Sequence, residues 1–276
     1  YHPSTLVKDA QRRGVRFHPI DVQISRWDCT IDADGAIRLG LRYVQGLRAE
    51  AGRAVANRTA RFSSLDDLVA RTGLRRDEIV TLADIGALNA FGYDRRSALW
   101  QAERAARPTG GELLNEESGI RNQEWNENAE GDDAPLRPMT EGERLVADYA
   151  GTGLTLGRHP MAFRRDDLIV RGVLRAIDLR AARPGRRVRV AGMVITRQRP
   201  GTAKGFLFLT LEDETGVANV IVRPDLFARD RLVLVEEAFL LVDGVLQHQD
   251  GVISVRAEGV QPLPGPAIEF DSHDFH

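Results

Sequence analysis

The chain predicts a multidomain α plus β protein, a mostly helical region with two glycine-turn hairpins followed by a small five-stranded barrel. Three observations predict it. Residues 186–261 carry five short strand signals, with one helical stretch between the third and the fourth. Residues 38–104 carry apolar residues at helical spacing, interrupted twice by a short turn around a glycine. Between the halves, residues 108–137 are acidic, weakly apolar and bounded by proline and glycine, the composition of a linker.

The strand signals run from Arg187 to Arg197, Phe206 to Leu211, Val217 to Val222, Phe239 to Gln247 and Val252 to Val260. Pro224 to Leu232 reads as a helix that opens with proline at its first position. Three strands, a helix and two strands is the order of an OB-fold, whose strands 2 and 3 and flanking loops hold oligonucleotides. The turns agree: Glu214-Thr215-Gly216 joins strands 2 and 3, and Gln249-Asp250-Gly251 joins strands 4 and 5.

Strand 2 carries the chemistry. With a side-chain period of two, Leu207, Leu209 and Leu211 share one face, and Phe206, Phe208 and Thr210 share the other. Arg197, Arg199 and Lys204 precede the rings, and Arg223 follows strand 3. Rings on which bases stack, beside cations for phosphates, make a single-strand binding surface. The plainer reading is that both rings are buried under a neighbouring domain for their area alone.

In residues 1–37, Ser4 to Gly14 reads as a short helix with Ser4 as its N-cap, and Pro19 with the alternating Ile20, Val22 and Ile24 as an extended tail. In the helical region, Leu41-Arg-Tyr-Val44 leads into Gln45-Gly46-Leu47-Arg48 and a helix from about Ala49 to Arg58. Ile79-Val-Thr-Leu82 leads into Asp84-Ile85-Gly86-Ala87-Leu88, with helix resuming near Arg95. Together these resemble a tandem helix-hairpin-helix. A turn glycine lets backbone N–H groups approach a phosphate, and the following helix presents the positive end of its dipole. Gly46 and Gly86 are then the turn glycines, with Leu47, Arg48 and Ala87 beside the phosphate. Arg48 stands where a second glycine is usual, and it either adds a side-chain contact or crowds the backbone approach. Either hairpin alone also reads as an ordinary helix-loop-helix turn. Trp125 stands alone in the linker, as a docking anchor or folded onto its own surface. Thr140 to Ala150 reads as a helix with Glu143 completing a capping box, within a connecting segment over 138–185.

The formal net charge of -2 hides a division along the chain. Residues 1–107 hold 18 Lys and Arg against 13 Asp and Glu, residues 112–133 hold one against eight, and residues 164–261 hold 16 against 13. Both candidate binding regions are therefore basic, and the acid lies in the linker. No run of 18 apolar residues exists, which argues against a membrane-spanning helix. Cys29 is the single cysteine, so no disulfide forms within the chain, as expected of a reducing cytoplasm. The six histidines show no metal-ligand spacing, and Asp66-Asp67, Asp166-Asp167 and Glu212-Asp213-Glu214 read as solvated helix starts or turns. The chain begins Tyr1-His2-Pro3 rather than with methionine and reads as a carboxy-terminal fragment.

Four stretches resemble the bacterial C-family DNA polymerases, the DNA polymerase III alpha-subunit family. They are Tyr1 to Gly14 with Pro19-Ile-Asp-Val22 and Ser25-Arg-Trp-Asp-Cys29; Arg38-Leu-Gly-Leu-Arg-Tyr-Val-Gln-Gly-Leu47; Asp148-Tyr-Ala-Gly-Thr-Gly-Leu-Thr-Leu-Gly-Arg-His-Pro-Met161; and Arg187 to Gly216. The resemblance makes 1–37 the end of the fingers domain, 38–107 the tandem hairpins, 108–137 the linker, 186–263 the OB-fold and 264–276 a tail. It implies primer-template and single-stranded DNA as partners. The family's catalytic carboxylates lie in a palm before the fingers, so the fragment is expected to lack catalytic residues, metal and cofactor, with Mg2+ serving the parent enzyme. Replicative members of the family carry a glutamine-led clamp-binding peptide before the OB-fold and a further domain after it, and this sequence is expected to depart from them at both places. This places the resemblance in the error-prone translesion branch, where an inactive Y-family-like accessory protein links to the sliding clamp. Two other readings stay open. The OB-fold and linker serve as a docking module for protein partners, or the OB-fold is an anticodon-type domain of a tRNA-handling enzyme.

Overall fold

A computed structural model describes residues 2–105, 137–249, 251–265 and 273–275. In chain order its helices are α1 (Pro3–Arg12), α2 (Ala49–Ala56), α3 (Leu65–Thr72), α4 (Arg76–Asp84), α5 (Arg95–Ala105), α6 (Glu141–Thr152) and α7 (Arg165–Val170). The strands β1 (Arg187–Gln198), β2 (Leu207–Asp213) and β3 (Gly216–Val222) follow. Two six-residue helices, α8 (Pro224–Arg229) and α9 (Arg231–Glu236), precede β4 (Phe239–Gln249) and β5 (Val252–Pro262). The single helix expected over 224–232 is thus two, because Asp230 leaves helical geometry with φ -113°.

The chain divides into two compact units, one of residues 19–31 and 38–140 and one of residues 1–18, 32–37 and 141–276. This differs from the expected fingers remnant over 1–37, whose residues are shared between both. The predicted linker, with Trp125, lies outside the described residues up to 136.

In the hairpin unit, α4 packs on α5, and α3 packs on α2 and α5. Leu41, Val55, Leu68, Ile79, Leu82 and Leu88 are buried there. Helix α3 starts where the Ser64 hydroxyl accepts the Asp67 N–H at 3.1 Å, and it stops at Gly73 in left-handed geometry. Residues 19–31 join this unit through hydrogen bonds rather than sequence proximity. The Val22 N–H donates to the Ala87 carbonyl at 3.1 Å. The Gln23 amide donates to the Phe62 carbonyl at 2.8 Å and accepts the Phe62 N–H at 2.9 Å.

In the other unit the five strands close into a barrel. β1 pairs with β2, β2 with β3, β3 in parallel with β5, β5 with β4 and β4 with β1. This is the expected OB-fold. Its core is built by the inward positions of the alternating strands, including Leu207, Leu209, Leu211, Val220, Val222, Leu240, Val242, Leu246 and Val255. A short strand, His273–Phe275, runs parallel to β1 along Thr196 to Gln198, where pairing with β4 has already ended.

The carboxylates at the end of β2 correct the expectation of a solvated turn. Glu212 and Asp213 are 0% and 2% exposed. Arg12, from α1, donates to Glu212 at 2.6 Å, and Arg165 bonds Glu214 at 2.6 Å and Asp213 at 3.3 Å. Asp213 also accepts the backbone N–H groups of Ala176, Thr215 and Gly216. The same network fixes the motif around Asp148. Tyr149 shares a hydrogen bond with Ser4 at 3.3 Å, and the Lys8 ammonium donates to the Gly157 carbonyl at 2.5 Å. Burial pushes the Lys8 ammonium down to about 8, although Glu212 and Asp148 pull it upward. Burial likewise pushes the Tyr149 phenol up to about 12. Helix α1 itself is capped by His2, with Pro3 at its first position, rather than by Ser4.

Removing one partner of a buried ion pair leaves the other charge uncompensated. Arg12→Ala is expected to lower the unfolding free energy by about 3 kcal/mol in urea titrations. Loss of less than about 1 kcal/mol would show that Glu212 does not depend on Arg12.

Candidate nucleic-acid interface

The barrel register aligns one row of outward side chains. Phe208 on β2 lies opposite Gln198 on β1 and Ile221 on β3. Ile221 lies opposite Arg256 on β5, Arg256 opposite Val245 on β4, and Val245 opposite Arg187 at the start of β1. One circuit thus returns to β1 near its other end, the stagger that closes a tilted barrel. The neighbouring row holds Thr196, Thr210, Asn219 and Ser254.

Phe208 is 37% exposed on this outer face, while Leu207 and Leu209 on either side are buried. Phe206 precedes β2 and is half-buried, its N–H donating to the Ala203 carbonyl at 3.0 Å. Lys204 is exposed in left-handed geometry, with φ 48°, and has no partner among the described residues. Arg199 is exposed and stacks on the Phe227 ring, 4.3 Å from its centre. Arg223 is exposed and paired with Asp225 at 2.9 Å. The outward row therefore holds a ring and an aliphatic neighbour, and three exposed cations, Arg199, Lys204 and Arg223, follow β1, precede β2 and follow β3.

Arg197 does not belong with them. It lies opposite the core residue Leu209, is 7% exposed, and donates to the carbonyls of Leu234 at 2.9 Å and Glu237 at 2.5 Å. The register of β1 against β2 shifts between Val194 and Thr196, and past that bulge Arg197 turns inward to satisfy the end of α9. A cation held there is a cap for carbonyl groups, not a phosphate ligand. The outward residues Ile221, Asn219 and Arg256 were not singled out in the sequence. The period of two that places Phe208 outward places Ile221 and Asn219 there as well.

The two hairpin turns differ. Gly46 has φ +74°, is exposed, and its N–H has no partner among the described residues. Gly86 has φ +80°, but its N–H donates to the Ala83 carbonyl at 3.0 Å and the Ala87 N–H to the Leu82 carbonyl at 2.8 Å. These bonds close the end of α4 and use the donors the sequence offers to a phosphate. Ala87 is also fully buried, so it cannot touch a ligand. Leu47 is half-buried beside the open turn.

Arg48 resolves the question posed by its position. Its guanidinium grips Glu78, with both nitrogen-to-oxygen distances 2.9 Å, and donates to the Gly73 carbonyl at 2.7 Å. The Arg48 and Arg75 N–H groups donate to the same carboxylate at 2.9 and 2.7 Å. Arg48 therefore ties the first turn to the start of α4, and its side chain is not open to a phosphate. Burial pushes the Glu78 carboxyl upward, but the Arg48 guanidinium and the two N–H donors outweigh it and hold the group below its ordinary value.

Four of the carboxylates singled out in the sequence are already engaged by protein groups. Asp67 is engaged by the Ser63 N–H and Arg71, and Glu212, Asp213 and Glu214 by arginines and backbone donors. Among the described residues, His18, Asp32 and Asp34 bring ligand atoms within 4.8 Å of one another. The chain folds back to do so, which the linear spacing did not reveal. Both imidazole nitrogens there face carboxylates, Asp32 at 2.6 Å and Asp34 at 3.6 Å, and Arg16 already neutralises Asp34.

Comparison with known proteins agrees with this geometry. Residues 14–98 match the helix-hairpin-helix motif family, and residues 188–263 match the OB-fold nucleic acid binding domain family. Error-prone DNA polymerase 1 of Rhizobium meliloti is 37% identical over 95% of this chain and 25% of its own length. The error-prone DNA polymerase of Alkalilimnicola ehrlichii is 41% identical over all of this chain and 26% of its own. The chain is a relative of the error-prone DNA polymerases. It spans about a quarter of the length of these polymerases. Among solved structures, asparaginyl-tRNA synthetase from Pyrococcus horikoshii aligns over 30% of this chain and 20% of its own at 23% identity, with a TM-score of 0.25, and nothing rests on that likeness.

In this polymerase relative the Arg48 to Glu78 pair makes a pH-dependent contribution. Because the folded carboxyl is held below 4.5, the contribution is complete above that value and is lost as pH falls through the depressed one. In denaturant titrations the wild-type chain is expected to exceed Glu78→Gln in stability at neutral pH, with the gap closing in acid. A gap that stays constant down to pH 3, roughly a unit below an ordinary glutamate, would refute the assignment.

Proposed function

We propose that this chain is the DNA-handling part of an error-prone DNA polymerase that acts in damage-induced translesion synthesis. The barrel guides single-stranded template across its outer face. Phe208 stacks with a base, Ile221 supports it, and Lys204, Arg199, Arg223 and Arg256 neutralise phosphates. Phe206 closes the edge of this surface. The first hairpin holds duplex product at the open N–H of Gly46, beside Leu47. At the second, Gly86 shapes the turn, and Arg95 lies over it, 2.9 Å from where a side chain on Gly86 would begin. Nucleotidyl transfer, with its Mg2+, belongs to parts of the enzyme beyond these residues, and the contact to a sliding clamp passes through an inactive Y-family-like accessory protein in the cytoplasm. The observation that carries the reading is the exposed ring of Phe208 beside accessible cations, on an OB barrel in a chain related throughout to error-prone polymerases.

Stacking on one aromatic ring contributes about 1 to 3 kcal/mol per base. Phe208→Ala is therefore expected to weaken binding of a short oligothymidylate by roughly 5- to 150-fold in a fluorescence titration, leaving the salt slope unchanged. Lys204→Ala is expected to flatten that slope by about 0.7, one phosphate contact to a single strand. Should both variants bind as the wild type does, the barrel face is not a DNA surface, and its role shifts to docking protein partners.

A further inference from the structure

A second basic feature lies on the barrel, away from the loop that carries Lys204. A cavity of about 490 Å³ is lined by Arg171, Arg186, Arg187 and Arg189 together with Asp243 and Glu258. Its charges do not cancel. Asp243 is taken by Arg189 at 2.7 Å, and the single carboxylate of Glu258 faces both Arg187 at 3.2 Å and Arg256 at 3.7 Å. Arg171 reaches only the half-exposed Asp167, at 3.7 Å. Arg186 is exposed, and its guanidinium has no partner among the described residues. Gly172 and Gly259 also line the cavity, and a side chain added at either would meet nothing within 4 Å, so a bulky ligand can approach the backbone there.

The register connects this cavity to the aromatic face. The outward row that starts at Phe208 passes Ile221, Arg256 and Val245 and ends at Arg187, on the cavity's edge. Four strand spacings separate the ends, roughly 19 Å along the surface. Along the way lie an aliphatic side chain and an arginine.

We infer that the arginine cavity is a second phosphate site for the same single strand, which crosses the barrel transverse to its strands from Phe208 over Arg256 to Arg186 and Arg187. This rests on the reading of the outer face as a single-strand surface and fixes the direction in which the strand leaves it. The ligand is the phosphodiester backbone. Nothing in the cavity calls for a particular base, since its polar groups are guanidinium forks and carboxylates already paired with them.

The test uses the 276-residue chain and two oligothymidylates, one of about 4 and one of about 15 nucleotides, the short and long ends of single-strand sites on OB barrels. The Arg186→Ala, Arg187→Ala double variant changes exposed side chains and is expected to fold normally, which circular dichroism checks. It is expected to bind the short oligomer as the wild type does, but to bind the long one more weakly and with a salt slope flatter by about 1.4, two phosphate contacts at 0.7 each. Glu258→Gln, which releases Arg187 and Arg256, is expected to tighten the long oligomer. An unchanged slope for the long oligomer in the double variant overturns the second site, and if Phe208→Ala still weakens both oligomers, the outer-face reading stands without it. If Phe208→Ala changes neither, that reading fails first.

Discussion

The two-residue period of the closed barrel is the constraint on which the rest of this molecule depends. Leu207, Leu209 and Leu211 must enter the core, so Phe208 and Thr210 must face out. Pairing carries the same choice to Ile221 and Asn219 on β3, to Arg256 on β5 and to Arg187 on β1. A slip of one residue would invert every one of these positions and drive a phenylalanine and an arginine into the interior. The core and the candidate interface are therefore set by one decision, made by the leucines. Closure also removes the open edges of the sheet, and the short strand at His273–Phe275 pairs with β1 where β4 no longer does.

Arginine serves two purposes here, and only position distinguishes them. The chain has two lysines, so almost every cation is a planar fork able to hold a carboxylate or a pair of carbonyl groups. Arg12, Arg48, Arg165 and Arg197 are used that way, each bonded to buried or half-buried acceptors. Arg186 and Arg199 stay at the surface, the guanidinium of the first without a partner among the described residues and that of the second on an aromatic ring. Net charge is for this reason a poor guide to binding. Several of the cations that make residues 1–107 and 164–261 basic are internal fasteners.

What the sequence made legible follows from the range over which each force acts. Strand limits were readable within one or two residues because alternation is local, and the barrel order followed from the order of strands and helix. Gly46 and Gly86 were readable as left-handed turns, since few other residues occupy that geometry at low cost. Arg12 and Glu212 were not readable as partners, being 200 residues apart in the chain. Nor was the meeting of His18 with Asp32 and Asp34. Arg197 was misplaced for a subtler reason, because a bulge changes which way a strand residue points and a bulge leaves little trace in residue type. The second hairpin shows the same limit. Its Gly86 looks like that of the first turn in sequence, yet its donors close α4 while the N–H of Gly46 stays open.

The outer face also limits what it can recognise. Telling one base from another takes donors and acceptors aligned on the base edge, as in bidentate arginine or asparagine pairs. Here the polar groups near Phe208 are few. Thr196 and Ser254 are buried, and the Asn219 amide already leans on the Ile253 carbonyl at 3.5 Å. What remains beside the ring is an aliphatic side chain, cations and the exposed amide of Gln198, directly opposite Phe208 on β1, which carries both a donor and an acceptor. The ring and the cations offer the same contacts to any flat base and any phosphate, so they carry little information on sequence. Discrimination between bases on this face therefore turns on Gln198, because Thr196 and Ser254 are buried and the Asn219 amide is engaged.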